Sequence, residues 1–125
     1  MAKHSKDKKA LSSVDYIIQG IQEKKGKQIV KLNLTAIENS VCKYFVICHG
    51  TSKLHVQAIA DSIEEYVRAS TGEKPTNKEG LENAEWILID YFDVVVHVFQ
   101  EPVRKFYKLE DFWADAETHH IKDLD

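Results

Sequence analysis

The sequence predicts a small α/β domain: one mixed sheet with helices packed over it, in the order α-β-β-α-β-β-α. Segments with helical apolar spacing alternate along the chain with segments that read as strands. At 125 residues the chain fits one domain and can bury a real core without staples. Its composition, 43% hydrophobic and 30% charged, is that of an ordinary globular protein.

Residues 1–10, "MAKHSKDKKA", hold four lysines and no large apolar side chain after Met1, so a flexible basic tail is expected. With no apolar run behind them they are no secretory signal. From Leu11 the pattern is helical. Val14, Ile17, Ile18 and Ile21 share a face, Ser12 or Ser13 is the N-cap, and Lys24, Lys25 and Gly26 close the helix. "QIVKLNL" alternates, with Val30, Leu32 and Leu34 on one side and Lys31 and Asn33 on the other, as a half-buried strand does. "KYFVICHG" is a continuous apolar run and reads as a central strand buried on both faces.

"GTSKLHV" turns the chain into a second helix capped by Thr51 or Ser52. Val56, Ile59, Ala60, Ile63 and Val67 form its buried stripe, and Gly72 ends it. The polar connector "EKPTNKEGLENAE" is broken by Pro75 and Gly80 and is long for a compact domain. "WILIDYFDVVVHVF", Trp86 to Phe99, is too long for one strand, and "DYFD" offers a place to reverse. With Tyr91 and Phe92 as the turn, Asp90 faces Asp93, Leu88 faces Val95 and Trp86 faces His97. Ile87, Ile89, Val94, Val96 and Val98 then line the core, while Trp86, Leu88, Val95, His97 and Phe99 share the other face. Pro102 suits the first turn of a last helix, whose apolar face continues through Val103, Phe106 and Leu109. Trp113 is the last strong anchor. From Glu110 onward there are six acids and one lysine, so residues 114–125 are expected to be an acidic, frayed tail beyond a domain at 11–113.

A formal charge of -3 argues against a free duplex nucleic-acid binder. No run of about eighteen apolar residues is present, so no membrane span or membrane partner is expected and the protein reads as cytoplasmic. Cys42 and Cys48 read as small buried hydrophobes in a reducing compartment. Cys48, His49 and His55 lack the paired spacing of a zinc site, and no metal or other cofactor is expected. Asp90 and Asp93 could hold a metal ion, and Gly50-Thr51-Ser52 at a helix start could cradle a phosphate, a pairing like that of nucleotidyltransferases. In those enzymes the acids alternate on a strand and share a face. Spaced three apart, Asp90 and Asp93 would point oppositely on one strand, and no third carboxylate stands near them. No catalytic residue is expected, and no Walker motif, dinucleotide fingerprint or H-E-x-x-H occurs. The other face of the tryptophan hairpin has an apolar centre beside polar groups, as partner-binding surfaces do. The plain alternative is that a helix covers this face and Trp86 is core.

"GTSKLHVQAIAD" (50–61) together with "EGLENAEWILIDYFDVVVHVFQEPVRKFYKLEDFW" (79–113) resembles the ribosomal silencing factor family, also called Iojap-like proteins. The resemblance extends over about residues 11–113 and is far more specific than a short motif. It implies a fold related to nucleotidyltransferases without their catalytic acids. It further implies a translational repressor that binds the large ribosomal subunit through ribosomal protein fourteen of that subunit. On the same resemblance the bound protein would obstruct docking of the small subunit when nutrients are short, and the family's organellar members are associated with ribosome assembly. The family's partner surface falls on Trp86, Leu88, Asp90, Asp93, His97, Arg104 and Tyr107. A basic target suits Asp90 and Asp93. The basic tail leaves room for a peripheral contact with ribosomal RNA, and the apolar face for a homodimer of the free protein. An orphan nucleotidyltransferase-like enzyme, or a nucleotide-binding module, is the alternative. The chain departs from the family pattern at two positions. Phe92 stands where glycine is common, and a positive φ there would strain it; Lys43 stands where the family tends to have aspartate.

Overall fold

The structure is a computed structural model that describes the backbone of residues 2–124 and the side chains of residues 13–124. In chain order it forms α1 (Ala2–Glu23), β1 (Lys27–Asn33), β2 (Tyr44–Gly50), α2 (Lys53–Thr71) and β3 (Asn77–Glu79). There follow β4 (Trp86–Asp90), β5 (Val94–Gln100), the short helices α3 (Glu101–Tyr107) and α4 (Leu109–Phe112), and β6 (Glu117–Ile121). The strands make one sheet in the order β3-β4-β5-β2-β1-β6. β2 and β5 run parallel and the other neighbours antiparallel, so the expected mixed sheet with helices over it is what forms.

Each face of the sheet has its own core. On one, Val14, Ile17 and Ile21 of α1 and Val56, Ile59, Ile63 and Val67 of α2 pack on Val46, Cys48, Ile87, Ile89, Val96 and Val98. The two helices meet at Gly20, where a Cβ would stand 2.8 Å from the Ile63 Cα. Ser62 Oγ donates to the Gly20 carbonyl at 2.7 Å, which satisfies a buried hydroxyl at the crossing. The other face buries Val30, Leu32, Leu34, Phe45, Ile47, Val95 and Phe99, with Val103, Leu109 and Trp113 laid over them.

α2 follows its local rules closely. Ser52 Oγ accepts from the His55 N–H at 3.1 Å as N-cap, and Gly72 closes the helix at φ +76. β2 is buried throughout, as a central strand should be. α1 differs at both ends. Ser12 and Ser13, the expected caps, lie inside it. At its C-terminus Lys25, not Gly26, takes the left-handed conformation, at φ 57. Gly26 is needed for space instead, since a Cβ there would collide with Ile21 Cγ2. The backbone of residues 2–10, expected to be a flexible basic tail, forms the first part of α1, and the side chains there lie outside the described residues.

Two strands were not expected. The connector after α2 contributes β3, three exposed residues paired along β4. Gly80 ends it at φ +80, where a Cβ would collide with the Trp86 carbonyl oxygen. The segment expected to fray, 114–125, contributes β6, which pairs Glu117 to Ile121 along β1. Both are polar edge strands held chiefly by the open hydrogen-bonding groups of a neighbour, and in β6 the last residue, Ile121, also packs against the helix-side core.

The tryptophan hairpin forms with a different register. Asp90 lies opposite Val95, Leu88 opposite His97 and Trp86 opposite Phe99, so Asp90 does not face Asp93. The tip lies at Phe92 and Asp93, closed by Tyr91 N–H to the Val94 carbonyl at 2.8 Å. The slip is two residues, and a two-residue slip leaves every side chain on its expected face. Phe92 does take a positive φ, 75°.

Candidate partner-binding face

β4 places Trp86 and Leu88 on the second face near the sheet's edge, where both are half-buried. Trp86 stacks on Phe99 with ring centroids 4.8 Å apart, and Tyr107 of α3 lies 5.0 Å from it. The indole Nε1 donates to His97 Nδ1 at 3.0 Å, across the diagonal of the antiparallel pair. The indole's polar edge is therefore satisfied inward while part of the ring stays uncovered.

His97 lies beneath this group, only 4% exposed. Burial pushes its pKa down to about 4, so it is neutral near pH 7. Accepting at Nδ1 leaves the proton on Nε2. That Nε2 has no hydrogen-bond partner among the described residues, and the Phe45 ring meets the imidazole edge-on at 4.7 Å. His97 thus holds Trp86 from behind and does not itself present a surface.

Four residues along β4 from Trp86, about 13 Å at strand rise, the face ends in acids. Asp90 Oδ1 accepts from the Phe92 N–H at 2.8 Å. The Asp93 carbonyl accepts from the N–H groups of Lys43 at 2.9 Å and Tyr44 at 3.1 Å, which ties the β1–β2 connector to the turn. At the Trp86 end, Phe106 is 79% exposed, where the sequence pattern placed it on a buried helix face. It meets Tyr107 edge-on at 5.1 Å and extends the apolar surface past Trp86. α3 ends after Tyr107 because Lys108 turns left-handed, at φ 49, and Phe106 is left outside the core.

Arg104 is not brought into this group. It is 7% exposed, and its guanidinium donates from Nε to Glu110 Oε1 at 2.9 Å and from Nη1 to the Gln28 carbonyl at 2.8 Å. Nη1 also lies 3.0 Å from His49 Nδ1. Arg104 ties α3 to β1 and β2 and helps line a separate cleft of about 920 Å³ with Gln28, Glu101 and His120. Of the seven residues singled out from the sequence, Trp86, Leu88 and Tyr107 form one patch with His97 behind it. Asp90 and Asp93 lie at its far end.

The arrangement weighs against nucleotide chemistry. Gly50 pairs with Gln100 and Tyr44 with Val94, which puts the Gly50-Thr51-Ser52 turn at the opposite end of the sheet from Asp93. Six residues of strand, about 20 Å, separate the two ends. One backbone donor of that turn is also engaged internally, Thr51 N–H on His55 Nδ1 at 2.9 Å. Burial pushes the Cys42 thiol up to about 11 and Cys48 to about 12, so neither is an activated nucleophile.

Fold and site together define a small α/β domain whose distinctive surface is a half-covered aromatic patch running into an acidic turn. The family model described as "Ribosomal silencing factor during starvation" matches residues 7–125. The chain is similar to the ribosomal silencing factor RsfS of Halalkalibacterium halodurans, 43% identical over 84% of this chain and 88% of that one. It is also similar to RsfS of Bacillus subtilis, 41% identical over 82% of this chain and 83% of that one. A crystal structure of a Chromobacterium violaceum protein superposes with a TM-score of 0.78 at 30% identity, covering 83% of this chain and 85% of that one. A more distant mouse relative, named for mitochondrial assembly of the ribosomal large subunit, is 26% identical over 81% of this chain and 45% of its own length. The chain belongs to the ribosomal silencing factor (RsfS) family. Among the described residues no helix is long and apolar enough to cross a membrane.

Proposed function

We propose that this protein binds the large ribosomal subunit, against ribosomal protein fourteen of that subunit, and lowers translation by standing where the small subunit would dock. Its work would be done in the cytoplasm. Membership of the silencing-factor family supports the reading, and so does the mouse relative's name, which links it to the large subunit. The observation that carries it is the uncovered part of Trp86. A large aromatic held rigidly by Phe99, Tyr107 and His97, with its N–H already satisfied, can bury its exposed surface against a partner at little entropic cost. Leu88 widens the apolar centre. Asp90 and Asp93 supply the charge that orients a basic protein. Occupancy alone produces the effect, and no bond-making step is involved.

The test is sedimentation of the purified protein with separated ribosomal subunits. It should travel with the large subunit and not the small one, and raising its concentration should reduce formation of joined ribosomes. Sedimentation with the small subunit, or with neither, would overturn the proposal.

A further inference from the structure

The tip of the β4–β5 hairpin is built in a way that the fold does not require. Phe92 has a φ of +75, a region where a side chain beyond glycine is disfavoured. The Asp93 N–H donates to the Tyr91 carbonyl at 3.0 Å, an i to i+2 bond around Phe92. With that φ, the bond has the signature of the rare, strained form of γ-turn. Such strain usually persists because packing over-determines the residue. Here packing does not: Phe92 is 70% exposed. The turn is held through the backbone instead, by Asp90 Oδ1 on the Phe92 N–H at 2.8 Å and by Tyr91 N–H on the Val94 carbonyl at 2.8 Å. An aromatic ring in a disfavoured conformation, returning little buried area to the fold, needs a reason outside it.

The surroundings point to one. Asp90 and Asp93 flank the ring on either side in the chain, both half-exposed. The β1–β2 connector is hydrogen-bonded to the turn through Lys43 and Tyr44, and two residues before Lys43 stands Val41, 77% exposed. The tip thus offers apolar side chains beside two carboxylates, at the acidic end of the Trp86 face. That chemistry fits an apolar recess bordered by arginine or lysine side chains.

We infer that Phe92 is a second anchor of the ribosome-binding surface, seated in an apolar, basic-rimmed recess of a large-subunit protein. The inference rests on the proposed large-subunit binding and extends it from the Trp86 patch to the hairpin tip. The strained φ aims the ring outward at a fixed place, so little ordering remains to be done on binding.

Because the strain belongs to the folded chain and the benefit to the complex, the test reads two quantities with different signs. Phe92→Gly and Phe92→Asn both suit a positive φ and remove the ring. Both variants should unfold in urea at the same or a higher midpoint than the wild type. Both should bind purified large subunits at least about tenfold more weakly, the loss typical of a truncated interface anchor. Phe92→Tyr, which keeps the ring, should bind as the wild type does. Trp86→Ala serves as the reference for the parent surface. If Trp86→Ala weakens binding and the Phe92 variants do not, the inference fails and large-subunit binding stands. If the wild type does not bind large subunits, both fail. Lowered urea midpoints in the Phe92 variants would show that the ring serves the fold. Loss of self-association by the free chain, with subunit binding intact, would give the tip to a second copy of this protein. Either result overturns the inference.

Discussion

Trp86→Ala is the most telling single substitution, because this side chain belongs partly to the core and partly to the proposed interface. Truncating a fully buried tryptophan costs about 3–5 kcal/mol. Trp86 is half-buried, which halves that to about 2 kcal/mol. Its Nε1 also satisfies the buried His97 Nδ1 at 3.0 Å, and losing that bond adds about 1 kcal/mol. Urea unfolding should therefore show a loss of about 3 kcal/mol from folding stability. Trp86→Phe, which keeps a ring on Phe99 and removes only the donor and some area, should lose about 1 kcal/mol. Binding follows a separate ledger. Removing the exposed part of the ring should weaken large-subunit binding by about 2 kcal/mol or more, roughly thirtyfold, at a temperature where the variant is fully folded. A folding loss under about 1 kcal/mol would mean that the Phe99, Tyr107 and His97 contacts do not hold the ring. Full-strength binding by folded Trp86→Ala would remove Trp86 from the interface.

Three further outcomes are expected. His97 titrates near 4 when folded and near 6.5 as a free imidazole, so the unfolded chain binds more protons between those values and stability falls as pH drops from about 6.5 to 4, by about 3 kcal/mol in all. Urea midpoints across this range should show the slope, and a folded His97→Gln should flatten it; an unchanged slope would place its origin elsewhere, for instance at His49, whose pKa burial also lowers. Gly20→Ala should lose about 1–2 kcal/mol in urea unfolding, because the steric cost of a Cβ 2.8 Å from the Ile63 Cα outweighs alanine's better helix propensity. Deleting residues 1–10 should leave the urea midpoint unchanged, since the deletion spares the buried anchors Val14, Ile17 and Ile21 of α1, while weakening the proposed ribosome binding most at low salt.

Much of the fold was legible because it rests on local rules. Ser52 and Gly72 bracket α2 with their own side-chain and backbone chemistry, and the apolar stripe between them has the period of a helix. The two faces of β4 and β5 were assigned correctly from parity alone. Their register was not, because it depends on where the turn falls, and the strained geometry at Phe92 moves the tip one residue on. β3 and β6 left little trace in hydropathy, since their residues apart from Ile121 are exposed and their partners are backbone groups of other strands. Arg104 was placed by likeness to a family pattern. Its actual contacts, to Gln28 and His49, lie 76 and 55 positions away and only the folded chain discloses them.

The position of β4 lets one short strand serve stability and the proposed recognition together. Ile87 and Ile89 are fully buried against the helical layer, and the alternate positions Trp86, Leu88 and Asp90 are each half-exposed. β5, one place further into the sheet, shows no such alternation and is buried on both faces from Val94 to Phe99. The difference comes from what covers each strand. β4 has only the three-residue β3 beyond it, and the short helices α3 and α4 do not fully cover its outer face. A longer β3 alone would leave that face unchanged, because sheet pairing adds neighbours in the plane and not above it. Tyr107, the last residue of α3, lies 5.0 Å from the Trp86 ring, and the left-handed Lys108 ends the helix directly after it, so the cover that α3 gives Trp86 comes from its final residue.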